Sequence, residues 1–551
     1  MSDSSSPVAR GAALPHHDAV VIGAGFAGLY AVHRLRDLMG LRVQAFEVAG
    51  DVGGTWYWNR YPGARCDIES VHYSYSFSDE LHREWTWSER YAGQPEILRY
   101  LQFVADKFDL RRSFHFGARV ISMQWDDTKN IWHIETDDGA KCTARFVISG
   151  AGNVSVPHMA DYPGRETFAG DIYMTGRWPH EGVDFTGKRV AVIGTGASAV
   201  QAIPLIAEQA AHLTIFQRTP NYVGPLRNRP LDSAEMEAVR EDYRALRDES
   251  RQYYIGVPYV AAAESARAVP APERKKIYDQ SWEQGGFHML LSTFQDLLID
   301  KEANETVTDY LRDRIKEEVC DPKLAEMLCP TDHAYGTKRP TFGTGYYETF
   351  NRANVSLVDL RRTPIEEIYE QGIRTSDGRL EFDCIVFATG FDAITGPLLK
   401  MGVTGRNGLT LAEKWADGPH TYLGIATNGF PNLFTITGPQ SALALYNNPL
   451  AIEDHVEFAS DMIQHMIDRG YSTMEPTPEA EANWGAQVID AAERTLFPQT
   501  KSWYMGDNIP GKPRVCMIYV GGAPEYRQTC ADVVQDGYRG FILREASSRA
   551  A

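Results

Sequence analysis

Two glycine-rich turns, each set between a short apolar strand and an amphipathic helix, dictate most of what this 551-residue chain can fold into. The first, Gly23-Ala24-Gly25-Phe26-Ala27-Gly28, follows Asp18-Ala-Val-Val-Ile22 and opens a helix with Leu29, Val32 and Leu35 on one face. A second strand, Arg42-Val-Gln-Ala-Phe46, ends at Glu47. The second turn, Gly194-Thr195-Gly196-Ala197-Ser198-Ala199, follows Arg189-Val-Ala-Val-Ile193. It leads into a helix through Ile203 and a strand Leu213-Thr-Ile-Phe216. Each is a complete βαβ unit. The expected fold class is α/β: two Rossmann-like dinucleotide-binding domains, with a helical insertion in the second.

The spacing has a chemical reason. Gly23 permits the tight turn, Gly25 lets the backbone approach a pyrophosphate, and Gly28 allows close helix–strand packing. The helix N-terminus then presents free N–H groups to the phosphate. Glu47, at the end of the second strand, can accept hydrogen bonds from ribose hydroxyls. The second turn has Ala199 at the third glycine position, and its second strand ends Phe216-Gln217-Arg218-Thr219 with no acid. A carboxylate would repel a 2′-phosphate, whereas Arg218 can take it bidentately, so NADPH is expected over NADH.

Between the two turns lies Gly53-Gly54-Thr55-Trp56-Tyr57-Trp58-Asn59-Arg60-Tyr61-Pro62-Gly63-Ala64-Arg65-Cys66-Asp67. Trp56 and Trp58 offer apolar surface to a ring system larger than a nicotinamide, and FAD is the natural occupant of the first site. Two sites then suggest that a nicotinamide reduces a flavin. Arg339 and Asp67 are the candidate catalytic pair. A flavin peroxide must stay deprotonated to attack a carbonyl, and a guanidinium stabilises that anion without giving up its own proton. Asp67 would orient it. Lys338-Arg339 is placed at the exit of the helical insertion, just before a strand at Tyr346–Tyr347.

The expected layout is a flexible tail over 1–17 and an FAD-binding domain over 18–150 plus 384–551. An NADPH-binding domain takes 151–383, with the insertion at about 231–330. Phe116 to Ser149 alternates and reads as a meander closing the first domain. In the insertion, Asp232-x-x-Glu235 can cap a helix carrying Met236, Val239, Tyr243 and Leu246. Val307, Leu311, Ile315 and Val319 make a second stripe, and Asp321-Pro322 can start a third helix. Strand-like Asp383–Phe387 precedes Ala388-Thr389-Gly390-Phe391-Asp392, after which the chain returns to the first domain. Tyr446-Asn447-Asn448-Pro449-Leu450 reads as a cap and helix start, with the helix N-terminus aimed at a flavin. Ser502–Asn508, beside Ile509-Pro510-Gly511-Lys512-Pro513, reads as a flap whose Trp503 covers a cofactor.

The net charge of −18 argues against nucleic acid as a partner. No apolar run approaches the ~18–20 residues of a membrane span, and the first residues lack the apolar stretch of a signal peptide. Seven scattered cysteines without Cys-x-x-Cys fit a cytoplasmic location and argue against a metal site or redox dithiol.

At these residues the chain resembles the type I (class B flavoprotein) Baeyer–Villiger monooxygenases, over roughly residues 18 to 540. Gly53-Gly54-x-Trp56-x-x-x-x-Tyr61-Pro62-Gly63-x-x-x-Asp67 matches one family fingerprint in full. Phe168-x-Gly170-x-x-x-Met174-x-x-x-Trp178-Pro179 matches the second, with Met174 where the family has histidine. That histidine sits at an inter-domain linker, so the departure bears on how NADPH binding is coupled to oxygenation.

The resemblance implies oxygenation of ketones to esters or lactones with O2, and of sulfides as side substrates. An N- or S-oxygenating flavin monooxygenase is the alternative. It implies FAD contacts at Glu47, Thr55, Trp56, Tyr57, Trp58, Asp67, Tyr73, Val120 and Asn448. NADP contacts are implied at Arg65, Cys66, Gly194, Thr195, Gly196, Ala197, Ser198, Ala199, Val200, Gln201, Arg218, Thr219, Lys338 and Trp503. The loop Ser441, Ala442, Leu443 to Tyr446 corresponds to a substrate-lining segment. The expected partners are a small ketone and O2, with no nucleic acid and no membrane.

Overall fold

Strand β1 (His16–Ile22) lies at the centre of the first sheet, in a computed structural model that describes residues 14–442 and 444–545. Helix α1 (Phe26–Val32) then crosses to β2 (Val43–Glu47), which pairs with β1 in parallel from Ala19↔Val43 to Ile22↔Phe46. Both faces of this pair are covered, which is why its strands read as near-continuous apolar runs. Every residue of α1 is buried, because the helix lies between the sheet and the helix Asn448–Arg469. Tyr30 Oη donates to Glu457 Oε1 at 2.8 Å across that contact. After Val32 the helix widens into a π-helical segment, His33–Leu38.

The alternating stretch forms an antiparallel meander of Val120–Asp126, Ile131–Thr136 and Lys141–Ser149. Its last strand pairs with β1, so the meander extends the first sheet. Two late segments return to this sheet: Val403–Thr404 beside Val120–Asp126, and Leu433–Thr435 beside Lys141–Ser149.

The second sheet has five parallel strands. β3 (Arg189–Ile193) leads through α2 (Ala197–Gln209) to β4 (His212–Gln217). Val355–Asp359 lies outside β4, while Cys384–Phe387 and Asp171–Met174 lie on the other side of β3. Cys384–Phe387 thus belongs to the second sheet. The return to the first therefore begins after Phe387, later than the expected boundary at 384.

Three further expectations change. His16 and His17, expected in the tail, pair with Thr143 and Ala144 in β1; residues 1–13 lie outside the described part. Asp232 and Glu235 form the reciprocal capping box, yet the helix stops at Glu241 and Tyr243–Ser250 is separate. The break lets Arg247, 2% exposed, turn inward and donate to the carbonyls of His72 and Ser74. Tyr346 and Tyr347 lie in a helical turn, Tyr346–Thr349, and the strand is Thr341–Gly343. Gly345, at φ +71°, makes the left-handed turn that ends the extended segment.

The rest of the insertion follows its pattern. Lys301–Glu318 buries Val307, Leu311 and Ile315, and Asp321 caps Pro322–Leu328 by accepting from the Lys323 N–H. Among the described residues no helix is long and apolar enough to cross a membrane.

Candidate active site

The first glycine turn opens into a cleft. Gly23 has φ +97°, and a Cβ there would stand 2.5 Å from the Gly150 carbonyl oxygen. Gly28 packs so tightly under the same turn that its Cβ would overlap the Gly23 carbonyl. Glu47, 5% exposed, accepts the Ala24 N–H at 2.6 Å and the Ala49 N–H at 2.7 Å. Burial pushes its carboxyl up, against the pull of those backbone N–H groups and of Arg177. A carboxylate fixed in this way keeps further lone pairs for ribose hydroxyls.

Thr55, Trp56, Trp58, Tyr73 and Val120 line the same cleft. Trp56 Nε1 donates to Tyr73 Oη at 3.3 Å. Thr437, Asn448 and Ile452 line it as well, the last two in the first turns of α3 (Asn448–Arg469). Asn447 precedes that helix, but its side chain does not cap it: Nδ2 donates to the His72 carbonyl at 2.6 Å. The Oδ1 atoms of Asn447 and Asn448 are buried without a partner. An unpaired buried oxygen is costly, and one on the wall of a cleft fits a ligand that donates to it. Together with the glycine cradle, it makes the cleft fit a flavin dinucleotide. Gly28, Tyr57 and Asp67 are outside the lining.

Asp67 and Arg339, 272 positions apart, meet as a bidentate pair: Nε donates to Oδ2 at 3.1 Å and Nη2 to Oδ1 at 2.8 Å. The Arg339 and Asp67 side chains remain 30% and 25% exposed, respectively, so the pair is not sealed. Nη1 donates to the Ala444 carbonyl at 3.0 Å, and the guanidinium lies 5.1 Å from the centre of the Phe287 ring. Burial alone would lower the Arg339 pKa. The Asp67 charge outweighs it, so the group is held above its ordinary value. Tyr504 Oη is buried beside this guanidinium, and burial pushes it up to about 12.

The Asp67 segment is pinned on both flanks. Cys66 N–H donates to Ala92 O at 3.1 Å and Ser70 N–H to Arg90 O at 2.7 Å. Burial raises the Cys66 thiol well above its usual range. The Arg65 guanidinium is engaged by Glu89 at 3.0 Å and by the Tyr91 carbonyl.

At the second turn a Cβ on Gly196 would meet nothing within 4 Å, so the backbone faces open space. Thr195 Oγ1 donates to Thr219 O at 3.0 Å, tying together the ends of β3 and β4. Ala199 and Val200 are wholly buried in the core behind the turn, and the Val200 N–H already bonds to Gly196 O. Gln201 reaches the first fingerprint instead: Oε1 accepts from Tyr61 Oη at 2.9 Å, and Nε2 donates to Arg65 O at 3.2 Å. Burial lowers the Lys338 pKa, against the pull of Asp332 and with a smaller push from the Arg218 charge.

In the Ser441–Tyr446 loop, Ser441 and Ala442 are buried and the Tyr446 hydroxyl donates to Asp454 Oδ2 at 2.6 Å. Leu443 lies outside the described residues. The loop therefore meets Arg339 through the Ala444 main chain. Trp503 is partly buried against the core. Its segment is anchored by Asn508 Nδ2 on Phe391 O and by Lys512 Nζ on Asp392 Oδ1, at 2.7 and 3.0 Å.

A family model described as pyridine nucleotide-disulphide oxidoreductase matches residues 20–253. A Baeyer–Villiger monooxygenase of Pseudooceanicola batsensis is 42% identical over 95% of this chain and 96% of its own. The chain belongs to the Baeyer–Villiger monooxygenase family. A phenazine N-monooxygenase of Lysobacter antibioticus is 41% identical over 97% of this chain and 98% of its own. Among solved structures, an oxidised steroid monooxygenase bound to NADP superimposes with a TM-score of 0.92 at 48% identity, covering 96% of this chain and all of the other. OTEMO in complex with FAD and NADP gives 0.93 at 40%, again with 96% and 100% covered.

In this Baeyer–Villiger monooxygenase family member the second fingerprint carries methionine at position 174. Met174 ends the strand Asp171–Met174 opposite Phe387, and three residues on, Arg177 enters the first cleft. Sequence reasoning missed Arg177, Phe287, Tyr504 and the Ala444 carbonyl. Only Arg177 carried a signal, as a lone cation inside a fingerprint.

Proposed function

We propose that this protein uses FAD, NADPH and O2 to convert ketones to esters or lactones. Residues 18–150 and the segment after Phe387 hold FAD, and the second sheet with Arg218 and Lys338 holds NADPH. Bound FAD, once reduced by NADPH, would supply the two electrons that activate O2, one oxygen atom of which enters the product while the other leaves as water.

The chain's own contribution rests on one observation: the bidentate grip of Asp67 on Arg339. One edge of the guanidinium, Nε with Nη2, is fixed, and its charge is permanent. A fixed cation stabilises negative charge developing on the ketone oxygen without reorganising at the moment of reaction. Asp67 sets the direction of that charge, and Phe287 covers one face of it. The partly exposed Arg339 surface leaves room for a substrate oxygen, which would compete with the Ala444 carbonyl for Nη1.

The test is a panel of cyclic, aryl and aliphatic ketones, with NADPH use, peroxide release and product mass all followed. Ester or lactone formed in proportion to NADPH supports the reading. NADPH consumption that yields only peroxide across the panel sinks it. The phenazine N-monooxygenase relative supports a second reading, N-oxygenation of an aromatic heterocycle. An N-oxide formed from phenazine at a rate above that of every ketone would favour it.

A further inference from the structure

Arg177 sits in the short helical turn Thr175–Arg177, directly after a strand of the second sheet, yet its side chain lines the cleft of the first. It is built into place. Nη1 donates to Gly176 O at 2.8 Å and Nη2 to Ser155 O at 3.1 Å, while the guanidinium lies 4.2 Å from the centre of the Trp58 ring. Those bonds use two of its five N–H donors.

Arg119 and Lys400 line the same cleft, and among the described residues none of the three cations has a carboxylate within ion-pair distance. The acid nearest in effect is Glu47, which lines the same cleft and already accepts one N–H on each oxygen, from Ala24 and Ala49. Burial works against the Arg177 charge, and the neighbouring Arg119 adds to that cost. Three cations in one cleft against the single carboxylate of Glu47 leave an excess of positive charge that favours the entry of an anion.

We propose that Arg177 is a phosphate ligand of the dinucleotide in the first cleft, so that FAD fastens the Met174 segment of the second sheet to the first sheet. Arg119 and Lys400 add field rather than contact. This rests on the FAD reading above. It assigns the anchoring to a guanidinium three residues after Met174. The 2′-phosphate of NADPH belongs to Arg218 and Lys338, neither of which lines this cleft.

The experiment uses purified holoenzyme and the variants Arg177→Met, Arg177→Lys and Arg218→Ala. Met keeps the length that covers Trp58 and removes the charge. FAD affinity is read from flavin fluorescence on dilution, at low and at raised NaCl, and cofactor preference from the NADPH/NADH ratio of flavin reduction. Losing one charge-assisted contact to phosphate predicts an FAD Kd raised on the order of tenfold in Arg177→Met. Its salt dependence should be shallower than wild type. Arg177→Lys should fall in between. The NADPH/NADH ratio should hold in Arg177→Met and collapse in Arg218→Ala.

An unchanged FAD Kd in Arg177→Met overturns the proposal. So does a weakened Kd with wild-type salt dependence, which would mean packing on Trp58 only. A collapsed NADPH/NADH ratio in Arg177→Met would assign the cation to the other nucleotide and overturn it too. If Arg177→Met does not fold, exposed Arg119→Met carries the same test: a smaller but salt-dependent weakening supports the proposal, and none overturns it. Wild-type protein that takes up no flavin would remove the FAD reading itself, a separate result.

Discussion

At the scale of single residues, Arg339 uses all three of its nitrogens: two on Asp67 and one on the Ala444 carbonyl. Exchanging Asp67 or the carbonyl for water would leave a cation of less defined direction. Arg339→Ala should therefore keep FAD and its reduction by NADPH, and lose ester formation by about 10²–10³-fold, the range for removing one preorganised donor. Product yield beside the rate of flavin bleaching checks this, and normal yield would remove Arg339 from the chemistry. Arg218 makes a different prediction. It is exposed just after β4, and the proposed role is a bidentate grip on a 2′-phosphate, so Arg218→Ala should raise the Kd for NADPH on the order of tenfold or more while leaving NADH nearly unchanged. Equal losses would contradict that assignment. The pairing of Asp67 with Arg339 was legible from sequence because the chemistry read there called for a cation oriented by an acid. Phe287, Tyr504 and the Ala444 carbonyl were not, since their roles come from where distant segments meet and not from residue type.

At the scale of elements, α3 shows how burial of a titratable group becomes pH dependence. His455 is 1% exposed; its Nδ1 accepts the Thr437 N–H at 2.9 Å. Nε2 must then carry the proton and donate to Tyr526 Oη, 2.7 Å away, whose hydrogen goes to Leu423 O at 2.5 Å. Burial lowers the ring's pKa to about 3. The unfolded chain takes up this proton near pH 6.5 and the folded one only near 3. Stability from this residue is therefore complete above pH 6.5 and falls as pH drops towards 3, by on the order of 1 kcal/mol per pH unit. Urea midpoints from pH 7 to 4 should fall less steeply in His455→Gln than in wild type. Identical slopes would exclude His455 as a source. The pattern of α3 was visible in Pro449 and the apolar spacing, as was the capping box of Asp232 and Glu235. The two-residue strand Val403–Thr404 was not visible, because so short a strand owes its state to its neighbour rather than to its own pattern. Tyr346–Tyr347 misled for a related reason. Adjacent aromatics suit a strand, but Gly345 had already turned the chain.

At the scale of the whole molecule, the two sheets were legible from their glycine turns, whereas the contact between them was not. It is made in part by α2 against the first fingerprint. Gln201 holds Tyr61 Oη, the Arg65 N–H and the Arg65 carbonyl, and a Cβ on Gly63 would stand 2.5 Å from the Gln201 carbonyl oxygen. The helix that begins at the second nucleotide turn is thus clamped to the loop that ends in Asp67. The clamp has a functional consequence if a nicotinamide on one sheet must reach a flavin on the other, since transfer rates depend steeply on the approach of the reacting atoms. Gln201→Leu keeps the bulk and removes three hydrogen bonds, each worth about 0.5–1.5 kcal/mol in net terms. FAD content and NADPH Kd should stay within about twofold, because the turn glycines and the Arg218–Lys338 pair are untouched. The rate of flavin reduction by NADPH should fall on the order of tenfold while reduction by dithionite is unaffected, because only the former depends on how the sheets meet. A raised NADPH Kd with an unchanged limiting rate would instead make Gln201 a direct contact of the nucleotide, and the clamp incidental.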